Sequence, residues 1–183
     1  MRESMRRLRV DLKGPLDLMQ VHNLVDAPTH LATLGSWKKE GLVRYVGITH
    51  YHAGAHAELE KMLEDESIDF VQVNYSLAEP QAERRLLDAA ATHGIAVIAN
   101  RPFAEGAMFA RVRQRPLPPF AKDLDCRSWA QLFLKWIISH PAITCAIAGT
   151  RDARHVVDNL GALQGPLPDA AMRNHIREHF DTL

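Results

Sequence analysis

A short apolar segment followed by an amphipathic helix recurs along the chain, and this alternation constrains the fold more than any other feature. The spacing predicts five strands, over residues 16–22, 42–48, 70–74, 95–99 and 143–147. Segments with apolar side chains on both faces are typical of parallel strands that are buried on both sides. Strands and helices in alternation therefore predict an α/β fold with right-handed crossovers between the strands.

Helical patterns fill the intervals between the predicted strands. They predict helices over residues 3–10, 55–66 and 80–94. Ser128 and Gln131 form a capping box before a further helix with a wide apolar stripe, and two more helices close the chain. Residues 111–120, rich in proline and arginine, are interpreted as a loop. The composition does not change along the chain, so residues 1–183 are predicted to form a single domain.

The composition is that of an ordinary globular protein and excludes several partners. Lysine plus arginine and aspartate plus glutamate number 22 each in 183 residues, so the net charge does not point to nucleic acid or to an anionic membrane. We find no apolar run of spanning length and no signal-peptide core after the basic start. Cys126 and Cys145 have no metal-ligand spacing. We therefore expect a reduced, cytoplasmic protein without nucleic-acid or membrane partners.

Polar residues cluster just after the carboxyl ends of the predicted strands. They are His22 and Asn23, Thr49 and His50, Gln72 and Asn74, Asn100 and Arg101, and Thr150 and Arg151. Two architectures fit the alternation, a doubly wound open sheet and a (β/α)8 barrel. The GxGxxG fingerprint of the first is absent, and barrel enzymes hold their chemistry at the carboxyl ends of their strands. The sequence therefore favours a barrel, although a barrel needs eight strands and only five are predicted.

The histidines of these strand ends leave more than one chemistry open. His22 can be a core residue, a metal ligand or a group directed at a substrate. His50, His52 and His56 lie within seven residues, and three histidines can bind a catalytic zinc. The zincin motif requires a glutamate directly after its first histidine, but Ala53 follows His52. We therefore assign no metal site.

Five segments, in this order and at these spacings, resemble the aldo-keto reductases: LDLMQVHN, LVRYVGITHY, IDFVQVNYSL, GIAVIANRPF and CAIAGTRDARHVVDNL. The resemblance covers nearly the whole chain. It implies a (β/α)8 TIM-barrel fold, truncated here to about five C-terminal parallel strands with their helices. It also implies an oxidoreductase that binds NADPH and reduces a small-molecule carbonyl substrate, an aldehyde or ketone, to an alcohol.

The resemblance assigns roles to residues at the strand ends. His22 matches the histidine that donates a hydrogen bond to the substrate oxygen, where negative charge develops during hydride transfer. Gln72 matches the glutamine that binds the nicotinamide carboxamide. Thr49 and His50 stand in place of the usual Ser-Asn pair at this site, and Asn100 replaces a tyrosine that stacks on the nicotinamide ring.

The last strand and its helix are expected to contact the phosphate and adenine of the cofactor. The cofactor-binding residues implied here are Gly149, Thr150, Arg151, Arg154, His155 and Asn159, with Arg101 at the preceding strand end. A hydroxyl, a guanidinium and a helix N-terminus suit a phosphate dianion, although a plain turn and helix start would use the same residues. No acidic residue is expected to bind a free ribose hydroxyl here, so NADPH is the expected cofactor.

The rest of the family's catalytic group has no counterpart in the chain. The proton-donor tyrosine and its lysine and aspartate partners belong to barrel units that precede the part this chain resembles. Tyr45, Tyr51 and Tyr75 lie in other motifs. The chain alone is therefore expected to be inactive. The alternative is a non-catalytic barrel remnant that binds nucleotide or assembles with itself.

An open barrel is also expected to need a partner. It leaves two strand edges with unpaired backbone groups. The inner faces that missing strands would have covered are expected to expose side chains around Met19, Val46, Val71 and Ile98. We therefore expect a homo-oligomer or assembly with a complementing N-terminal half.

Overall fold

The computed structural model describes residues 2–9, 14–65 and 67–183, and a parallel sheet lies at its centre. The strands lie side by side in chain order: β1 Leu16–His22, β2 Val43–Thr49, β3 Phe70–Asn74, β4 Ala96–Asn100 and β5 Ile143–Ala146. Each strand pairs in parallel with the next. The predicted α/β fold with five parallel strands is confirmed, and no strand end differs from its predicted position by more than one residue.

Helices occupy the intervals between the strands. They are α1 Arg2–Leu8, α2 Ala27–Lys39, α3 His56–Met62, α4 Leu86–Thr92, α5 Ala107–Arg111, α6 Trp129–Ile138, α7 Ala153–Leu160 and α8 Ala170–Asp181. The helix ends predicted at Val10 and Glu66 lie outside the described residues. In the described ranges, no helix has both the length and the apolar character of a membrane span.

Two predicted helices are shorter than the sequence indicated. The helix predicted over residues 55–66 begins as a 3-10 turn, Ala53–Ala55, before α3. The helix predicted over residues 80–94 is interrupted at Arg85, whose φ of −152° lies outside the helical region. A 3-10 segment, Gln81–Arg84, precedes this break and α4 follows it.

The segment that leads into α6 contains more structure than the predicted loop. Residues 111–120 include the end of α5 and the start of a 3-10 helix, Pro119–Leu124. The predicted cap of α6 is confirmed, because Ser128 Oγ accepts a hydrogen bond from the Gln131 N–H at 3.2 Å. The Gln131 side chain accepts from the Arg127 N–H at 2.8 Å instead of from Ser128, so only half of a regular capping box forms.

The two faces of the sheet differ in burial. Val46 and Val71 are fully buried in the core formed with the helices, and Met19 pairs with Val46 on the same face. The expectation that these three side chains line the inner face is therefore wrong. Ile98 does lie on the inner face, in register with Gln72, but it is only 7% exposed. Strands that are apolar on both faces lack the alternation that would have distinguished the two sides.

We call the face opposite the helices the open face. Its residues include Leu18, Gln20, Tyr45, Phe70, Gln72 and Cys145, all at least partly exposed. Tyr45 and Phe70 meet edge to face with ring centroids 5.6 Å apart. The open face is thus a mixture of aromatic and amide side chains rather than a purely aliphatic surface.

A polar network attaches α8 to α6 and to the segment after β3. The buried Tyr75 hydroxyl donates to Glu83 and accepts from Arg173 Nη2 at 2.8 Å. Arg173 also pairs with Glu83 at 2.7 Å, and Arg177 pairs with the other carboxylate oxygen. The Arg173 guanidinium lies 4.4 Å from the centroid of the Trp136 ring. Burial raises the pKa of Glu83, but hydrogen bonds from Tyr75 and Arg177 outweigh it and hold that pKa below its ordinary value.

Glu83→Gln is expected to lower the free energy of unfolding by about 2–4 kcal/mol at pH 7, because two poorly solvated guanidinium groups lose their counter-charge. Since the pKa of Glu83 is lower in the folded chain than in the unfolded chain, its contribution is complete above the unfolded pKa. It is lost as the pH falls through the folded pKa. The difference between the two proteins should therefore vanish in acid. Urea unfolding at several pH values measures it.

Glu60→Gln is the matched control for this prediction. Glu60 pairs with Arg85 at 2.6 Å, but the Arg85 side chain is 78% exposed. Solvent screening limits such a pair to less than about 1 kcal/mol. Equal losses of stability in the two variants would contradict the role assigned to the network.

Candidate active site

Parallel register aligns three predicted site residues on the open face. His22 pairs with Thr49, Thr49 with Gln72, and Gln72 with Ile98. These four residues form one row across β1 to β4 at the carboxyl end of the sheet. His22 is exposed at the outer end of the row, whereas Thr49 is only 5% exposed.

Gly47 allows two amide side chains to meet across the strand between them. Gln20 Nε2 donates a hydrogen bond to Gln72 Oε1 at 3.0 Å. A Cβ at residue 47 would lie 2.8 Å from the Phe70 carbonyl oxygen and 3.0 Å from Gln20 Oε1. Because Gln72 Oε1 is occupied, Gln72 presents its Nε2 group as a donor. Gln20 is absent from the predicted site residues, although its place two residues before His22 on the same strand face is a usable signal.

Asn100 is held by the loop that follows β2. Its Nδ2 donates to the His50 carbonyl oxygen at 3.0 Å, and its Oδ1 is buried without a hydrogen-bond partner among the described residues. A carbonyl oxygen can only accept, so this contact fixes the orientation of the amide. The next residue, Arg101, donates to the Tyr51 carbonyl oxygen at 3.1 Å and pairs with Glu105 at 3.0 Å.

The histidines after β2 are engaged with one another and with the backbone. His50 Nδ1 accepts from the Tyr51 N–H at 2.9 Å, and its ring centroid lies 4.2 Å from that of His52. Burial and the neighbouring His52 lower the pKa of His50. Burial also lowers the pKa of His56, whose Nε2 contacts Asn74 Oδ1 at 3.0 Å. Among the residues that the structure describes, no three His, Cys, Asp or Glu side chains are placed to share a metal ion.

A cavity of about 830 Å³ extends from the ends of β3 and β4 to the start of α7. Seven predicted site residues line it: Gln72, Asn100, Arg101, Gly149, Thr150, His155 and Asn159. Phe103, Phe109 and Trp129 add an aromatic wall. A largely apolar lining with a few polar groups is typical of small-molecule sites, and this volume suits a large ligand.

The remaining predicted residues lie outside this cavity. His22 lines a separate groove of about 480 Å³ at the edge of β1, together with His30 and Trp37 of α2. Thr49 and His50 lie beside the cavity. Thr49 belongs to the row and pairs with Gln72, and the His50 carbonyl oxygen accepts a hydrogen bond from Asn100. Arg151 and Arg154 are exposed at the turn before and at the start of α7.

Asp152 places a carboxylate at the N-terminus of α7. Its Oδ1 accepts from the Arg154 N–H at 2.9 Å, and its other oxygen pairs with the Arg154 guanidinium at 2.7 Å. These hydrogen bonds hold the pKa of Asp152 below its ordinary value, so the group is charged at neutral pH. The Asp152 N–H donates to Thr150 Oγ1 at 3.1 Å. An aspartate directly before a helix is a typical N-cap, so the sequence does carry a signal for this contact, although the same segment also suits a phosphate-binding turn.

Comparison with known proteins decides the family. The Aldo/keto reductase family model matches residues 1–179. The chain is an aldo-keto reductase family member. An uncharacterized oxidoreductase of Schizosaccharomyces pombe is 32% identical over 165 residues, which cover 87% of this chain and 50% of that protein. Pyridoxine 4-dehydrogenase of Escherichia coli is 28% identical over 132 residues, covering 72% of this chain and 43% of that protein.

Solved aldo-keto reductases share the fold. An aldo/keto reductase from Klebsiella pneumoniae, in complex with NADP and acetate, matches with a TM-score of 0.74 and 25% identity, over 98% of this chain and 62% of its own. An aldo-keto reductase from Bacillus halodurans in its holo form matches with a TM-score of 0.74 and 22% identity, over 97% of this chain and 64% of its own. The chain described here therefore has five parallel strands that match part of a TIM-barrel-type sheet. It spans about half the length of the first two curated relatives.

Gly47→Ala is expected to lower the free energy of unfolding by about 1–3 kcal/mol, because the added Cβ meets a backbone oxygen of the paired strand β3. The same Cβ should separate Gln20 from Gln72. Gly35 in α2 is the matched control, since a Cβ there meets nothing within 4 Å. Gly35→Ala should stabilise the helix by up to about 1 kcal/mol. Chemical denaturation measures both changes, and an unchanged stability of Gly47→Ala would contradict the close strand approach.

Proposed function

We propose that this chain is the cofactor-binding, C-terminal part of an NADPH-dependent carbonyl reductase that converts an aldehyde or ketone to an alcohol. The observation that carries the proposal is the cavity of about 830 Å³, which joins the strand ends at Gln72 and Asn100 to the start of α7. Membership of the aldo-keto reductase family and the NADP complex of the Klebsiella pneumoniae relative support it.

The residues around the cavity fit a nicotinamide dinucleotide. The orphaned Oδ1 of Asn100 and the free donor of Gln72 suit a polar group at one end. Thr150 and His155, at the other end, suit a phosphate. Bound there, the nicotinamide would supply the hydride. The protein's part is to orient the ring and to exclude water from it.

His22 is the candidate for orienting the substrate. It lies two strands from Gln72 in the same row, a separation of about 10 Å at the usual strand spacing. A carbonyl group placed over Thr49 would lie between His22 and a ring held at Gln72. An imidazole N–H at that place stabilises charge that develops on the carbonyl oxygen.

We place the proton donor outside these 183 residues. Tyr75 is buried and bonded to Glu83 and Arg173, so its hydroxyl cannot reach the open face. Tyr45 lies on the open face but four residues before Thr49 on β2, toward the amino end of the strand. The Arg101 guanidinium lies over the Tyr51 ring, 5.5 Å from the centroid of that ring. A complementing N-terminal half would supply the acid.

NADPH is expected to bind more tightly than NADH, because Thr150 and His155 lie beside the N-terminus of α7. Asp152→Asn keeps a helix cap and removes a negative charge from that place, so it should raise the affinity for NADPH severalfold and leave NADH nearly unchanged. Fluorescence titration measures both. Asp17→Asn is the matched control, since Asp17 also pairs with an arginine, Arg44 at 2.7 Å, but on β1. Equal affinities for the two cofactors would refute the phosphate site.

The chain alone is expected to oxidise NADPH with a reactive aldehyde at least about 100-fold more slowly than a complete reductase, because a positioned acid contributes about 10²–10⁴-fold. A polypeptide that carries the missing N-terminal βα units should restore turnover, and His22→Ala should abolish the restored activity. Absorbance of NADPH follows both reactions. Full turnover by the chain alone would show that the acid lies within it.

A second candidate function is non-catalytic assembly, in a homo-oligomer or with another chain. The edges of β1 and β5 are the two ends of the sheet. On α7 and in the segment that follows it, the apolar side chains of Val157 and Leu163 are 73% and 67% exposed. Cofactor binding without turnover, even after addition of the N-terminal units, would favour this function over the reductase.

A further inference from the structure

Two amide side chains at the strand ends of the cavity each have one unused hydrogen-bonding group. Gln72 Oε1 accepts from Gln20, while Gln72 Nε2 donates to no group among the described residues. Asn100 Nδ2 donates to the His50 carbonyl oxygen, while Asn100 Oδ1 is buried and has no partner in the described part of the chain. A buried acceptor without a partner is unfavourable, so a ligand or a water molecule has to complete it.

The two unused groups are neighbours and have opposite character. Gln72 pairs with Ile98, and Asn100 lies two residues farther along β4 on the same face. Both residues line the cavity. One side chain therefore offers a donor and the other an acceptor on adjacent strands, and a primary carboxamide carries the complementary acceptor and donor.

We propose that Gln72 and Asn100 form a carboxamide clamp. The resemblance to the family already implies that Gln72 Nε2 donates to the carbonyl oxygen of the nicotinamide carboxamide. The new element is Asn100 Oδ1, which accepts from the amino group of the same carboxamide. The proposal rests on the proposed function in that the cavity has to bind a nicotinamide cofactor. It gives Asn100 a polar role in place of ring stacking.

Most other polar groups near these strand ends are engaged, apart from Gln20 Oε1 and Arg101 Nε, which are also buried without a partner among the described residues. Asn74 contacts His56 through Oδ1 and donates to Glu79 through Nδ2. His50 uses Nδ1 for the Tyr51 N–H, and its carbonyl oxygen holds Asn100. Among the amides that line the cavity at these strand ends, the free donor and the free acceptor therefore belong to Gln72 and Asn100, since Gln20 is not part of that lining.

Gln20 and His50 are positioning residues for the clamp. Gln20 holds Gln72 with its donor available, and the carbonyl oxygen of His50 holds Asn100 with its acceptor available. Both amides are thus oriented before a ligand binds. Preorganised partners add affinity because little ordering remains to be done on binding.

Cofactor analogues test the two halves of the clamp separately. The acetylpyridine analogue of NADP⁺ keeps the carbonyl oxygen and replaces the amino group with methyl, so it removes only the contact with Asn100. We expect calorimetry on the 183-residue chain to show about tenfold weaker binding of this analogue than of NADP⁺, the effect of one hydrogen bond. The nicotinic-acid analogue should bind more weakly still, because its carboxylate has no donor for Asn100.

Variants show whether Asn100 is the origin of this preference. Asn100→Leu should weaken NADP⁺ binding about tenfold and leave the acetylpyridine analogue nearly unaffected, so that the ratio of the two affinities approaches one. Asn100→Asp keeps an acceptor for the amino group but loses the donor to the His50 carbonyl oxygen, so its ratio should lie between those of the wild type and Asn100→Leu. Gln72→Leu should weaken both ligands equally. Asn74→Leu is the matched control, because Asn74 pairs with Asn100 in the sheet and its variant should leave the ratio at the wild-type value.

The outcomes separate the clamp from the function on which it rests. Equal wild-type affinities for NADP⁺ and the acetylpyridine analogue would overturn the clamp even if every variant of Asn100 failed to fold. A ratio that persists in folded Asn100→Leu would also overturn the clamp alone. Absence of saturable binding for NADP⁺ and both analogues would overturn the proposed function, and the clamp with it.

Discussion

The parallel register of the first four strands is the constraint on which the rest of the structure depends. Backbone pairing sets His22, Thr49, Gln72 and Ile98 in one row. A slip of one residue would turn every side chain of a strand to the opposite face. Val46, now fully buried, would then leave the core. The burial of apolar side chains on the helical face therefore fixes the positions of the polar side chains on the open face.

Much of the fold could be predicted from the sequence because short apolar runs bounded by polar turns have few alternatives to parallel strands. The same runs did not show which face meets the helices, so Val46 and Val71 were assigned to the wrong side. The break at Arg85 was also beyond local patterns. It accompanies contacts of Glu83 with residues about 90 positions farther along the chain, such as Arg173.

The sequence predicted the site residues that stand at strand ends, but it did not predict contacts that depend on other strands. Their places at the ends of predicted strands singled out Gln72 and Asn100, and the resemblance to the family assigned their roles. Both line the cavity. Gln20 was missed because its contact with Gln72 depends on a third strand, where Gly47 leaves the space between them. Asp152 was missed for a different reason, since one carboxylate can serve as a helix cap or as a ligand group and the sequence does not distinguish the two.

Helix α7 is attached to the rest of the molecule by little buried surface, since all eight of its residues retain solvent exposure. Segments of this kind open by local unfolding at a fraction of the global free energy. The backbone amides of α7 should therefore exchange with deuterium well before those of β2 and β3. A ligand that contacts His155 and Asn159 has to hold α7 in its folded position, so part of the intrinsic binding free energy goes into ordering the helix. Slower exchange in α7 would then report occupancy of the cavity.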